Sequence, residues 1–130
     1  MNYLGIDYGE RRVGFATGSD ETKIASPFFI LENKGRDFLL AEIKKICEQE
    51  EVEKIVVGMP LTMASGAGPQ AEEVSRFVDF LKDNLTMPVE TEDERFSSTM
   101  VDKLMAESRV KDRDAVAAMI ILQSFFDRKK

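Results

Sequence analysis

The chain has 130 residues, 43% hydrophobic and 32% charged, with a formal net charge of −6. That length suits one domain, residues 1–130, with a core of its own, and no apolar run approaches the ~20 residues of a membrane span. There is no histidine, and Cys47 is the only cysteine, which excludes Ser-His-Asp and Cys-His catalysis, an internal disulfide and an ordinary zinc site.

Carboxylate chemistry remains, and carboxylates without histidine select hard divalent ions, Mg2+ or Mn2+, if a metal is bound. The acidic balance, with a pI near 4.8, argues against a protein that coats nucleic acid non-specifically, since neutralisation of phosphates drives such binding. A metal enzyme is less constrained, because its ions bring local positive charge. The N-terminus enters a strand pattern without a basic, apolar leader, so a cytoplasmic location and no membrane are expected.

The first element is Leu4 to Gly18. Leu4, Ile6 and Tyr8 alternate with Gly5, Asp7 and Gly9, and Val13, Phe15 and Thr17 alternate with Gly14, Ala16 and Gly18. This is the period of a pleated hairpin, reversed at Gly9-Glu10. A carboxylate in an apolar strand costs several kcal/mol unless it is paired, and Gly5 and Gly9 are expected to leave open space on its face. Two readings stand here: a cation and a closely approaching phosphate beside Asp7, or a salt bridge from Asp7 to Arg11 or Arg12.

Lys23 to Leu31 reads as a third strand, placed at a sheet edge because Pro27 lacks a ladder donor, and Asn33-Lys34-Gly35 breaks the run. Arg36 to Glu50 carries Leu39, Leu40, Ile43, Ile46 and Cys47 on one helical stripe, so Cys47 reads as core. Glu53 to Met59 is a strand whose continuous Ile55-Val56-Val57 run implies cover on both faces and parallel neighbours. The small-residue loop Pro60 to Pro69 follows its C-terminal end, where ligands gather in open α/β sheets. Gln70 to Leu85 reads as a helix and Met87 to Val89 leads into a short strand ending in Glu90-Thr91-Glu92-Asp93-Glu94-Arg95. A helix capped by Ser97 or Ser98 through Met105 is expected next. The apolar run from Asp114 to Phe126 should be the most buried helix. Three strands in hairpin order followed by alternating helices and strands imply a mixed five-stranded α/β sheet flanked by helices, the arrangement of the ribonuclease H-like fold.

Four blocks carry a resemblance over nearly the whole chain. They are Asp7-Tyr8-Gly9-Glu10-Arg11-Arg12-Val13-Gly14, Val57-Gly58-Met59-Pro60-Leu61, Asp93-Glu94-Arg95-Phe96-Ser97-Ser98, and Asp114-Ala115-Val116-Ala117-Ala118 with Ile121-Leu122-Gln123. Their order and spacing resemble the YqgF/RuvX family, ribonuclease H-fold nucleases described as Holliday-junction resolvases and, in bacteria, as pre-16S ribosomal RNA processing nucleases. The resemblance implies catalytic, metal-binding carboxylates at Asp7, Glu94 and Asp114, an Mg2+ or Mn2+ cofactor, and structured nucleic acid as partner. It further implies pre-16S rRNA as the polymer, with branched DNA as the alternative, and a monomer or homodimer.

Arg12, Arg95, Lys111 and Gly9 are the candidate substrate contacts. Each has a structural alternative. Glu94 belongs to an acidic turn that is often merely solvated, Asp112 or Asp114 alike would favour a helix N-terminus, and Arg12 or Arg95 would pair with nearby acids. A fourth acid is open among Asp93, Asp112 and Glu10. The loop Thr62-Met63-Ala64-Ser65-Gly66 departs from the polar residues that the family carries after Pro-Leu.

Two other functions fit parts of the sequence. Asp-x-Gly-x-x-x-x-Gly also resembles the first phosphate loop of the actin, chaperone and sugar-kinase superfamily, but Asp7-Tyr8-Gly9 is the only such triplet. A non-catalytic nucleic-acid or ribosome-assembly module would keep the fold without the chemistry.

Overall fold

The N-terminal hairpin forms as its alternation implies: β1 (Asn2–Tyr8) pairs antiparallel with β2 (Arg12–Ser19), in a register that sets Asp7 opposite Gly14 and Tyr8 opposite Val13. The computed structural model describes residues 1–60, 69–93 and 113–128. The remaining elements are β3 (Ile24–Glu32), α1 (Arg36–Gln49), β4 (Val52–Met59), α2 (Pro69–Asn84), β5 (Val89–Asp93) and α3 (Arg113–Arg128). Sheet order is β3-β2-β1-β4-β5, with β4 parallel to both β1 and β5, so the sheet is mixed and five-stranded as expected. Residues 61–68 of the small-residue loop, and the segment expected to hold the Ser97 or Ser98 cap and its helix, lie outside the described residues.

Pro27 does lie on the edge strand. Phe15 faces Phe29 while Ala16 faces Pro27, so Phe28 is an extra residue that bulges β3 beside the proline. Ile55, Val56 and Val57 are fully buried in β4, because the sheet is covered on both sides.

The two faces of the sheet differ in side-chain size, and that difference decides where the helices sit. Leu4, Ile6, Val13, Phe15, Ile55 and Val57 pack with Leu39 and Ile43 of α1 and with Val74, Phe77 and Leu81 of α2. Each fully buried large side chain of this kind contributes ~1.5–3 kcal/mol. Cys47 is buried in the same layer, as its stripe implies.

The other face presents Gly5, Gly14, Ala16 and Gly18 along the hairpin, and there α3 packs through Ala118, Ile121, Leu122, Phe125 and Phe126. The open space expected at Gly5 is therefore filled: a Cβ there would stand 2.9 Å from the Leu122 Cβ and 3.0 Å from the Ala118 carbonyl oxygen. Glycine serves helix approach at that position.

Candidate active site

Asp7 is the second-last residue of β1, half-buried, and period two puts it on the α3 side together with Tyr3 and Gly5. Its cross-strand neighbour Gly14 is where α3 comes closest. A Cβ on Gly14 would overlap the carbonyl group of Asp114, the second residue of α3. Directly opposed residues of an antiparallel pair hold their Cβ positions ~5 Å apart. The main chain of Asp114 thus lies about that far from the Asp7 Cβ, and two acids separated by most of the chain become neighbours.

Arg12, also on the α3 side of β2, completes the cluster by placing its Nε 3.3 Å from Asp114 Oδ2. The sequence had allowed Arg12 to pair with a neighbouring acid, and Asp114 is that acid. The side chain of Arg12 is 67% exposed and that of Asp114 30%, so the guanidinium sits at the solvent rim above the carboxylates. Asp114 also lies in the first turn of α3, at the positive end of its dipole.

The space a Cβ on Gly9 would take is filled by the carbonyl oxygen of Arg12, so glycine there lets the Gly9–Arg11 turn close. Glu94, Arg95 and Lys111 lie outside the described residues, as does Asp112. Among the described residues no three His, Cys, Asp or Glu side chains group closely enough to hold a metal ion.

Acids near the end of β5 sort by face. Glu90 and Glu92 pair in register with Val56 and Gly58, on the α3 side. Lys54 Nζ lies 2.7 Å from Glu90, and Arg128 donates through Nε and Nη2 to Glu92 at 2.9 and 2.6 Å. These pairings raise the affinity of Lys54 and Arg128 for their protons, chiefly through the hydrogen bonds to Glu90 and Glu92. Asp93 pairs in register with Met59, on the α1/α2 side, and Glu10 lines a cleft with Tyr8, Gln70 and Glu73. Both therefore sit toward α2, on the other side of the sheet from Asp7.

One residue of this region was read only as a strand breaker. Asn33, after β3, donates from Nδ2 to the Gly9 carbonyl at 2.8 Å, and its backbone N–H donates to the Arg11 carbonyl at 2.8 Å. The same side chain accepts from Gly35 N–H at 3.0 Å at the start of α1. Asn followed two residues later by Gly is turn chemistry legible in sequence, but its reach back to Gly9 is not.

The sequence profile of the RuvX family, described as Holliday junction resolvase, matches residues 1–128. The chain belongs to that family. Among its relatives, a protein of Chloroflexus aggregans named "Putative pre-16S rRNA nuclease" is 38% identical, over 98% of this chain and 94% of that protein. One of Halothermothrix orenii with the same name is 36% identical, over 98% and 95%. Two solved structures share the architecture of this RuvX chain. Thermus thermophilus RuvC in complex with Holliday junction substrate has a TM-score of 0.65 at 14% identity, covering 99% of this chain and 95% of that one. The fowlpox virus Holliday junction resolvase has a TM-score of 0.59 at 12% identity, covering 98% and 99%. At those identities the likeness is one of fold, and the fold is the ribonuclease H-like one.

The donors that Asp7 and Asp114 offer are carboxylate oxygens, the type that hard cations take, and the Arg12 guanidinium occupies one of them. No described helix is long and apolar enough to cross a membrane.

Proposed function

We propose that this chain is an endonuclease that hydrolyses phosphodiester bonds in structured nucleic acid, with pre-16S ribosomal RNA, a cytoplasmic substrate, as its target. The observation that carries the reading is the seating of the Asp114 main chain on Gly14, the cross-strand neighbour of Asp7. The names of the relatives support the choice of RNA. A four-way DNA junction is the second reading, favoured by the description of the family itself.

Asp7 and Asp114, with Glu94 following the end of β5, would hold Mg2+ or Mn2+. Such ions supply an activated water and stabilise the leaving oxygen in phosphodiester hydrolysis. The chain's own residues do the rest of the work. The β1–β2 pairing and the packing of α3 bring the main chains of Asp7 and Asp114 to one end of the sheet, which supports a preorganised acidic surface. Arg12 offers a cation at the solvent rim of the cluster, where an incoming phosphate would exchange for Asp114 as its partner.

The test is cleavage by purified protein of a pre-16S rRNA fragment and of a four-way DNA junction, with Mg2+ and with EDTA. Cutting of the RNA alone supports the first reading, and symmetric cutting of the junction the second. Asp7→Asn, Glu94→Gln and Asp114→Asn should each lower the rate at least ~10²-fold. Activity equal to the unsubstituted chain in Asp7→Asn refutes the assignment.

A further inference from the structure

The strand-breaking Asn33 occupies a position for which the fold alone gives little reason. We propose that Asn33 is the positioning residue for Arg12, acting through the β1–β2 turn to aim the guanidinium at the carboxylate cluster and at a substrate phosphate. The proposal rests on the nuclease reading for the identity of that phosphate.

The turn Gly9–Arg11 is short and held at both ends. Gly9 O accepts from the Asn33 side chain and Arg11 O accepts from the Asn33 backbone, each at 2.8 Å. From within, the Arg12 carbonyl presses against Gly9 Cα, in the space a Cβ would need. Arg12 leaves this turn as the first residue of β2, on the α3 side, and its Nε reaches Asp114 at 3.3 Å. With a side chain 67% exposed, Arg12 has little packing to hold it, so its direction is set by the backbone it leaves from. The side chain of Asn33, which holds the Gly9 end of the turn while its backbone N–H holds the Arg11 end, therefore controls where the charge stands.

Asn33 also accepts from Gly35 N–H, at the entry to α1. A merely structural residue would act through that second bond. The two roles separate in substitution. Asn33→Ala loses both side-chain bonds, whereas Asn33→Ser keeps an oxygen that accepts from the N–H two residues on and cannot span the distance to Gly9 O.

Binding is measured by anisotropy of a fluorescein-labelled RNA stem-loop in EDTA over a series of KCl concentrations, so that no cleavage intervenes. Loss of one charge-assisted phosphate contact in Arg12→Gln should weaken binding about tenfold and lower the salt slope by about 1. Asn33→Ala and Asn33→Ser should each weaken binding several-fold alone, but by less than about twofold when Arg12→Gln is already present, since coupled residues are non-additive. A second readout uses the protein alone: the NMR signal of the Arg12 Nε–H group should be displaced from that of a free arginine, and should move to the free position in Asn33→Ser as it does in Asp114→Asn.

Additive losses in the double variant, recovery of binding in Asn33→Ser, or an unmoved Arg12 signal in either Asn33 variant would each overturn the proposal. If the unsubstituted chain neither binds nor cuts nucleic acid, the nuclease reading fails. The NMR signal then decides whether Asn33 still aims Arg12.

Discussion

Gly14→Ala tests the contact on which the site depends. A Cβ at Gly14 would overlap the carbonyl oxygen and carbon of Asp114 and stand 2.9 Å from the amide nitrogen of Ala115, where ordinary contact begins at 3.4 Å. Every nearby atom is backbone, so rotating a side chain gives no relief, and the first turn of α3 has to move by roughly 1 Å or more. Overpacking of this kind costs ~1–3 kcal/mol, a fall of about 4–12 °C in Tm for a domain of this size. Activity should suffer more, because a displacement of ~1 Å at a catalytic group is worth ~10²-fold in rate.

Gly5→Ala and Gly18→Ala are the controls. Their added Cβ atoms would meet the same helix farther along, at Leu122 and Ala118 from 2.9 Å for Gly5 and at the Phe126 ring at 2.8 Å for Gly18, where the Ile24 carbonyl oxygen of β3 also stands at 2.8 Å. They should lower Tm to a similar extent while reducing the rate less than about tenfold. Melting followed by circular dichroism, and initial rates at a temperature where all three variants remain folded, separate the two effects. If Gly14→Ala melts like the controls and cuts like the unsubstituted chain, the approach of α3 to Gly14 is packing alone and Asp114 is not held for catalysis.

Three further outcomes follow from the packing. Burial holds the Cys47 thiol protonated, raising its pKa to about 11 from the ordinary 9.0; only the unfolded chain binds fewer protons between those values, so stability should fall there by up to ~1.4 kcal/mol per pH unit, and urea titrations of Cys47→Ala should lack that slope. Gln123 on α3 accepts from Ala25 N–H at 2.9 Å and donates to the Lys23 carbonyl at 2.8 Å, so Gln123→Leu should cost ~1–2 kcal/mol and speed hydrogen exchange at the Ala25 amide. Glu92 is 9% exposed and its partner Arg128 55%; Arg128→Gln, which strands a shielded carboxylate, should therefore lower the urea midpoint more than Glu92→Gln, by ~1 kcal/mol.

The hairpin strands and the helices α1 and α2 were legible because each has a periodic stripe, β4 because of its continuous apolar run, and the edge place of β3 followed from the missing donor of Pro27. Asp7 was legible too, as the one charge in an apolar alternation. What joins Asp7 to Asp114 was not. The small residues Gly5, Gly14, Ala16 and Gly18 lie on one face and were a sign that a helix could come close. Which helix, and with which residue over Gly14, is set by contacts across about a hundred residues of chain, for which no local pattern exists. Misreading Gly5 and Gly9 as open space had the same origin: an absent side chain looks alike in sequence whether a ligand, a helix or a neighbouring carbonyl fills the gap. Asn33 escaped notice because an amide that bridges segments leaves no periodic trace.

The juxtaposition of acids has a consequence for stability that does not depend on any substrate. The Asp114 main chain lies about 5 Å from the Asp7 Cβ, and unit charges ~5–8 Å apart repel by roughly 2–3 kcal/mol at an effective dielectric near 20, a large share of the ~5–15 kcal/mol that holds a domain together. Arg12 offsets part of this, but an ion pair so exposed contributes only ~0–1 kcal/mol, and the α3 dipole adds a similar amount. Neutralising Asp7 should thus stabilise the metal-free protein even at the loss of the polar interaction that Asp7 itself makes, whereas removal of a carboxylate engaged only in structural bonds should weaken it. In EDTA, Asp7→Asn is expected to melt above the unsubstituted chain; with Mn2+ at about a hundred times its Kd the unsubstituted chain gains ~2.7 kcal/mol and the order reverses. A lower melting point for Asp7→Asn in EDTA, with no response of the unsubstituted chain to Mn2+, would mean that Asp7 is a structural residue and that the cluster holds no ion.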